Sequence, residues 1–229
     1  MGREKATREA RIDLLRVERC LRDLQGEFVR INASLESPRE ALDEEVLTNL
    51  FEGYAYVNRM LAYGVDPFRR GQHAHLLELN NIVLCGTDPD ARRRFHRHID
   101  ATEAHFYETP GGGIRDVMDW YERHPDDDVW CKASGVYIHA LSEPQLFIEG
   151  NHRTGSLIMS YMLVRAGKPP FVVKPENAKG YFDPSTLIRM TRKHTLKALW
   201  QLPKMKKTFA AFLKDHVDKR ALAKAPVEA

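Results

Sequence analysis

Residues Gly155 to Ala166 read Gly-Ser-Leu-Ile-Met-Ser-Tyr-Met-Leu-Val-Arg-Ala, with Arg165 as the sole charge, and Gly167-Lys168-Pro169-Pro170 follows at once. A helix this apolar has no broad face to give to water, so other elements must surround it. The glycine and the proline pair end it.

The surrounding elements are helical in their periodicity. Leu14, Leu15, Val17, Leu21, Leu24 and Phe28 recur at helix spacing and predict an amphipathic helix over about Thr7 to Ile31. Ser37-Pro38-Arg39-Glu40 offers an N-cap, a proline in the first turn and a Glu at the third position, so a second helix is predicted from about Ser37 to Tyr63. Further helices are predicted over Gln72 to Leu84, from Asp88-Pro89 onward, over Ile114 to Arg123, and over about Asp127 to His139. Ile99 to Pro110 shows no helical period and ends in Pro110-Gly111-Gly112-Gly113, which predicts extended structure or a hairpin there. Phe171-Val172-Val173 is short and extended, and helices close the chain. No repeat appears, and the expectation is a mainly α, single-domain chain over residues 1–229.

Composition narrows the functional classes. The cysteines, Cys20, Cys85 and Cys131, are too few and too scattered for a zinc pair or a secreted disulfide framework. With no apolar leader in the charged N-terminus and no membrane-length apolar run, a cytoplasmic location with no membrane partner is expected. The net charge of +3 conceals a gradient. Thr191 to Lys224 holds ten Lys or Arg against Asp215 and Asp218. Leu196, Leu199, Trp200, Phe209, Phe212 and Leu213 interleave with these charges, so the segment reads first as amphipathic helix with a solvated basic face. Nucleic-acid binding rests there on charge alone and ranks last.

Chemistry concentrates just before the apolar helix, in Phe147-Ile148-Glu149-Gly150-Asn151-His152-Arg153-Thr154-Gly155. A glycine-bearing loop feeding a helix start presents unpaired N–H groups and the positive dipole end to an anion. Arg153 adds a fork of donors suited to phosphate. Glu149 suits a hard cation such as Mg²⁺ that bridges phosphates, and Asn151 suits orientation of an oxygen. The same residues also suit an ordinary helix start with Asn151 as its cap.

At these positions the sequence resembles the Fic/Doc family, whose signature runs His-x-Phe-x-Asp/Glu-Gly-Asn-Gly/Lys-Arg-x-x-Arg. Phe147, Glu149, Gly150, Asn151 and Arg153 match it; the likeness continues through Leu163-x-Arg165-Ala166-Gly167-x-Pro169-Pro170 to Tyr181 and spans roughly Val46 to Pro184. The resemblance implies a mainly α, Fic-like helical bundle with a small β-hairpin flap. It divides the chain into N-terminal helices over about 1–65, a core over about 66–190, and basic C-terminal helices over about 191–229. It implies transfer of AMP, or in the Doc branch a phosphoryl group, from ATP to a protein hydroxyl. Glu149 would then hold Mg²⁺, and Gly150, Asn151, His152, Arg153, Thr154 and Gly155 would form the nucleotide-binding loop. A target protein would dock on the flap at about Arg97 to Pro110. Self-modification and a homo-oligomer are further expectations.

The chain departs from the signature at three places. Gln145 stands where the family has the histidine that takes the proton from the target hydroxyl, and an amide is no general base. His152 replaces the Gly or Lys after Asn151. Ser156 replaces the final Arg. His139, in Tyr137-Ile138-His139, could reach the site if Ala140 to Leu146 loops out, or could be a structural or surface histidine. Upstream, Thr48-Asn49-Leu50-Phe51-Glu52-Gly53 resembles the family's inhibitory helix, with Glu52 as its regulatory carboxylate or as a plain exposed helix residue. Two readings follow: a transferase whose base is lost or moved, or a catalytically silent nucleotide-binding or protein-interaction module.

Overall fold

A computed structural model describes residues 10–224. Residues 1–9, where the first helix was expected to begin, and residues 225–229 lie outside the described part. A short strand β1 (Ala10–Ile12) is followed by helices α1 (Leu14–Ala33), α2 (Glu44–Ala62), α3 (Ala74–Cys85), α4 (Pro89–Arg94), α5 (His96–Glu108), α6 (Gly113–Arg123), α7 (Val129–Leu141), α8 (Asn151–Arg165), α9 (Pro175–Arg189) and α10 (Leu196–His216). A 3-10 turn (Lys219–Ala221) leads into β2 (Leu222–Lys224). The mainly α architecture is the expected one. Among the described residues no helix is long and apolar enough to cross a membrane.

The apolar helix α8 sits at the centre. Leu157, Ile158, Met159, Tyr161, Leu163 and Val164 are all buried, with α7, α2 and α3 packed around them. Its polar residues are bonded inside the core: the Ser160 hydroxyl donates to the Phe171 carbonyl at 2.7 Å, which also receives the Tyr54 hydroxyl at 2.9 Å. Several outer helices begin on aspartate caps. Asp13, Asp43, Asp88 and Asp128 each accept the amide three residues on, satisfying one of the donors that a helix start leaves unpaired.

The small antiparallel sheet joins the two ends of the described chain, Ala10 opposite Lys224 and Ile12 opposite Leu222. The Asn58 side chain brackets Ile12, accepting its N–H and donating to its carbonyl, both at 2.8 Å.

Two expectations fail locally. The second helix starts at Glu44, seven residues after Ser37, because the segment 34–43 is spent otherwise. The Asn32 side-chain amide accepts the Arg39 N–H at 2.7 Å and donates to the Arg39 carbonyl at 2.9 Å. The Arg39 guanidinium then donates to the Phe182 carbonyl and the Thr186 hydroxyl, each at 2.6 Å. Those bonds hold the segment as a strap across α9, out of helical register.

The second failure concerns the flap. Residues 96–108 are helix α5, so the expected hairpin at Arg97 to Pro110 is absent and offers no edge for strand addition. The missed signal is the pair Thr102 and Phe106, both fully buried and one turn apart. Phe106 stacks on Phe147 with centroids 5.5 Å apart. Phe106→Ala is therefore expected to cost about 3–5 kcal/mol as a core truncation, whereas an exposed hairpin residue would cost within about 0.5 kcal/mol. Thermal unfolding decides between the two, at about 2–4 °C per kcal/mol for a chain of this size.

Candidate functional site

The site is built where the loop after α7 turns into α8. Gly150 makes that turn in the left-handed region, φ +73°, and a Cβ there would lie 2.9 Å from the Asn80 amide nitrogen, so both conformation and space select glycine. Asn80, fully buried on α3, donates to the Glu149 carbonyl at 2.9 Å and to the Thr154 hydroxyl at 3.0 Å. The Asn151 side chain folds back to accept the Phe147 N–H at 3.0 Å and donate to the Phe147 carbonyl at 2.7 Å. No side chain caps α8, and among the described residues the amides of Asn151, His152 and Arg153 have no hydrogen-bond acceptor. A helix start with three free donors is an anion site in waiting.

These donors open on a cavity of about 360 Å³. Gln145, Glu149, Gly150, Asn151, His152 and Arg153 line it together, so the structure gathers the larger part of the expected loop in one place. Leu24, Phe28, Leu50 and Phe182 give it an apolar side, and Arg39, Glu40 and Arg189 come from outside the signature. Thr154 and Gly155 do not line the cavity. Thr154 is tied to Asn80, and Gly155 lies under the Tyr137 ring, where a Cβ would fall 2.5 Å from Cδ2. Both serve packing rather than ligand contact.

Gln145 is committed inside the wall. Its Nε2 donates to the Leu141 carbonyl at 3.1 Å, its Oε1 accepts from Asn151 at 3.2 Å, and its backbone carbonyl accepts from His105 at 3.0 Å.

His152 is neutral by construction. Arg39 can only donate, so the contact between Arg39 Nη1 and His152 Nε2 at 3.2 Å makes Nε2 the bare acceptor. Nδ1 then carries the proton and donates to the Tyr137 hydroxyl at 3.2 Å. Burial first, then the charges of Arg39, Arg189 and Arg153, push its pKa down to about 3. The unfolded chain takes up this proton near 6.5, the folded chain not until about 3. Stability from this site is thus complete above that range and drains away as pH falls through it. His152→Gln is expected to flatten the acid limb, seen as a smaller drop in urea midpoint between about pH 7 and about pH 4.5 than in the parent chain.

Two expected residues lie elsewhere. His139 stays in helix α7, since Ala140 and Leu141 continue the helix instead of looping out. Its ring stacks on Trp120 at 5.1 Å and its Nδ1 lies 3.5 Å from Asp116. Lys193, with its side chain 1% exposed, donates to Asp116 at 2.8 Å and to the His139 carbonyl at 2.9 Å. Burial works to raise the Asp116 carboxyl, but His139 and Lys193 outweigh it and hold it at about 2. His139 is therefore a structural residue of a buried ionic cluster, outside the cavity. Glu52 points to Gly86 at the end of α3, with Oε2 buried and unpartnered, and does not line the cavity. The carboxylate that reaches Arg153 is Glu40 of the strap, at 3.5 Å. Sequence reading missed Arg39, Glu40 and Arg189; no local pattern marks them, because they reach the site from remote segments.

No family model matches the chain, and no solved structure matches it. Curated relatives do. The chain is 28% identical over 132 residues to the protein adenylyltransferase Fic of Drosophila melanogaster, covering 56% of this chain and 26% of that protein. It is 29% identical over 132 residues to the namesake of Drosophila yakuba. To that of Drosophila ananassae it is 30% identical over 112 residues, 47% of this chain and 22% of the relative. The similarity to Fic adenylyltransferases covers about half of the chain. The chain spans about a quarter of the length of those relatives.

With Arg153 in the wall and Gly155 in the packing layer, substitutions separate the two roles. Gly155→Ala is expected to lower stability by about 1–3 kcal/mol through overpacking on Tyr137, a loss that chemical denaturation reads directly.

Proposed function

We propose that the cavity at the start of α8 binds ATP and that the chain is a Fic-type protein in which AMP transfer to a protein hydroxyl has lost its proton acceptor. One observation carries this reading. Gln145 stands in the cavity wall at the signature's histidine position, its amide closed into bonds with Leu141 and Asn151. An amide cannot take a proton from a hydroxyl, and loss of a positioned base costs about 10²–10⁴ in rate. His152 does not replace it, because its lone pair is on Arg39 and its basicity is suppressed.

The binding half of the chemistry is intact. The free amides of residues 151–153 and the Arg153 fork can hold phosphate oxygens. Among the described residues no cluster of three or more His, Cys, Asp or Glu could hold a metal by itself. The Glu149 carboxylate, exposed and without a hydrogen bond among the described residues, fits Mg²⁺ bound jointly by one carboxylate and substrate phosphates. Such an ion supplies neutralisation of phosphate charge during transfer. A second reading, slow but real transfer of AMP or phosphoryl to a target protein or to the chain itself, draws on the similarity to proteins named protein adenylyltransferase.

Calorimetric titration of ATP with Mg²⁺, beside intact-protein mass, tests both. The parent chain is expected to bind ATP without gaining mass, and Arg153→Ala to weaken binding about 10- to 100-fold, the usual worth of charged hydrogen bonds. A mass gain in Gln145→His alone supports the lost base; a gain in the parent chain supports the second reading. Absence of ATP binding overturns both.

A further inference from the structure

We propose that the anion held in this cavity is a polyphosphate chain gripped by three arginines from three separate elements, Arg39 of the strap, Arg153 of α8 and Arg189 at the end of α9. This rests on the reading of the cavity as a nucleotide site and names residues outside the signature that complete it. The starting point is Ser156. It occupies the position of the signature's final arginine, is buried, and donates its hydroxyl to the Arg153 carbonyl at 2.7 Å. Ser156 still lines the cavity, but it brings no positive charge and its hydroxyl proton is already given to that carbonyl.

The positive charge lost there is restored from elsewhere. Arg39, Arg153 and Arg189 all line the cavity, and all three press electrostatically on the one imidazole of His152. Arg39 is bonded only to neutral acceptors, the Phe182 carbonyl, the Thr186 hydroxyl and the His152 ring, and its Nε is buried without a partner. Arg189 makes no hydrogen bond or ion pair among the described residues. Arg153 makes one long ion pair, 3.5 Å to the highly exposed Glu40, and also feels the carboxylates of Glu149 and Asp43. Like charges gathered in a half-buried wall repel, and the cost is offset by an anion of matching size.

Charge and spread select the ligand class. A single phosphate, at about −1.5 to −2 at neutral pH, is one compact anion for three guanidiniums carried on three elements. The polyphosphate of a nucleoside triphosphate can bridge them while the free amides of residues 151–153 take one phosphate end-on. His152, kept neutral, adds no fourth cation and holds the Arg39 fork in place through its lone pair.

The experiment titrates ATP, inorganic tripolyphosphate and orthophosphate into the parent chain and into Arg189→Gln, Arg39→Lys and Arg153→Ala, with a melting curve for each. Tripolyphosphate is expected to bind with at least about tenfold preference over orthophosphate. Arg189→Gln, on an exposed side chain, is expected to weaken ATP and tripolyphosphate about tenfold with an unchanged melt, the scale of one charged hydrogen bond. Arg39→Lys keeps the charge and loses the fork, and is expected to weaken both ligands. Parent-like affinity in Arg189→Gln and Arg39→Lys, with loss only in Arg153→Ala, overturns this inference and leaves the nucleotide site standing. Equal affinity for orthophosphate and tripolyphosphate also overturns it. Absence of ATP binding in the parent chain removes the nucleotide site itself.

Discussion

The buried amide of Asn80 sets the geometry on which the site depends. By donating to both the Glu149 carbonyl and the Thr154 hydroxyl, it clamps the loop and the first turn of α8 to α3. Gly150 can then turn left-handed against it, and α8 begins with its amides facing the cavity instead of a capping side chain. The clamp works because α8 is itself immobilised by apolar contacts on every side, so a small polar contact at its start is converted into a fixed direction for three N–H donors.

Around that rigid start, the strap from residue 34 to 43 provides the other half of the cavity. It has no regular secondary structure and is held by a few strong polar bonds, chiefly those of Arg39 and Asn32. Its charges make the cavity wall as much as the loop does: Arg39 sits on His152, and Glu40 approaches Arg153. A second polar cluster, Asp116, Lys193 and His139, lies on the other side of α7 and ties the segment before α10 to the core. Each cluster holds one histidine, but the two differ in role. One opens on a cavity, where its arginines face Glu40 and Glu149; in the other, a buried lysine and a buried carboxylate pair directly.

The C-terminal region shows how a pattern can be read correctly in kind and incompletely in consequence. Helix α10 is amphipathic as expected, with Phe209, Ala210 and Leu213 buried. Its first turns nevertheless leave Leu196, Leu199 and Trp200 exposed beside the lysines, so the outer face is mixed apolar and basic rather than simply solvated charge. Periodicity located the helix, but the side chains left over after packing on α7 were decided by where α7 and α9 lie.

Much of the fold was legible from local chemistry. The apolar stretch 155–166, the aspartate and proline start signals and the glycine stops describe interactions within a few residues, and the helices they predict are present with shifted ends. The loop Glu149 to Arg153 was legible for the same reason, since a glycine before a helix start acts within one turn. What failed was competition between local preference and distant partners. Ser37-Pro38 is a good helix start that loses to the Arg39 bonds with α9, and residues 99–108 become helix because Thr102 and Phe106 find the core. His139 and Glu52 sit at suggestive places along the chain but face other partners, whereas Arg39 and Arg189 are unmarked in sequence and meet at the cavity. The chain alone determined that a phosphate-suited loop opens a buried helix; only tertiary packing decided which charges surround it, because side chains remote in sequence become neighbours only when the helices are packed.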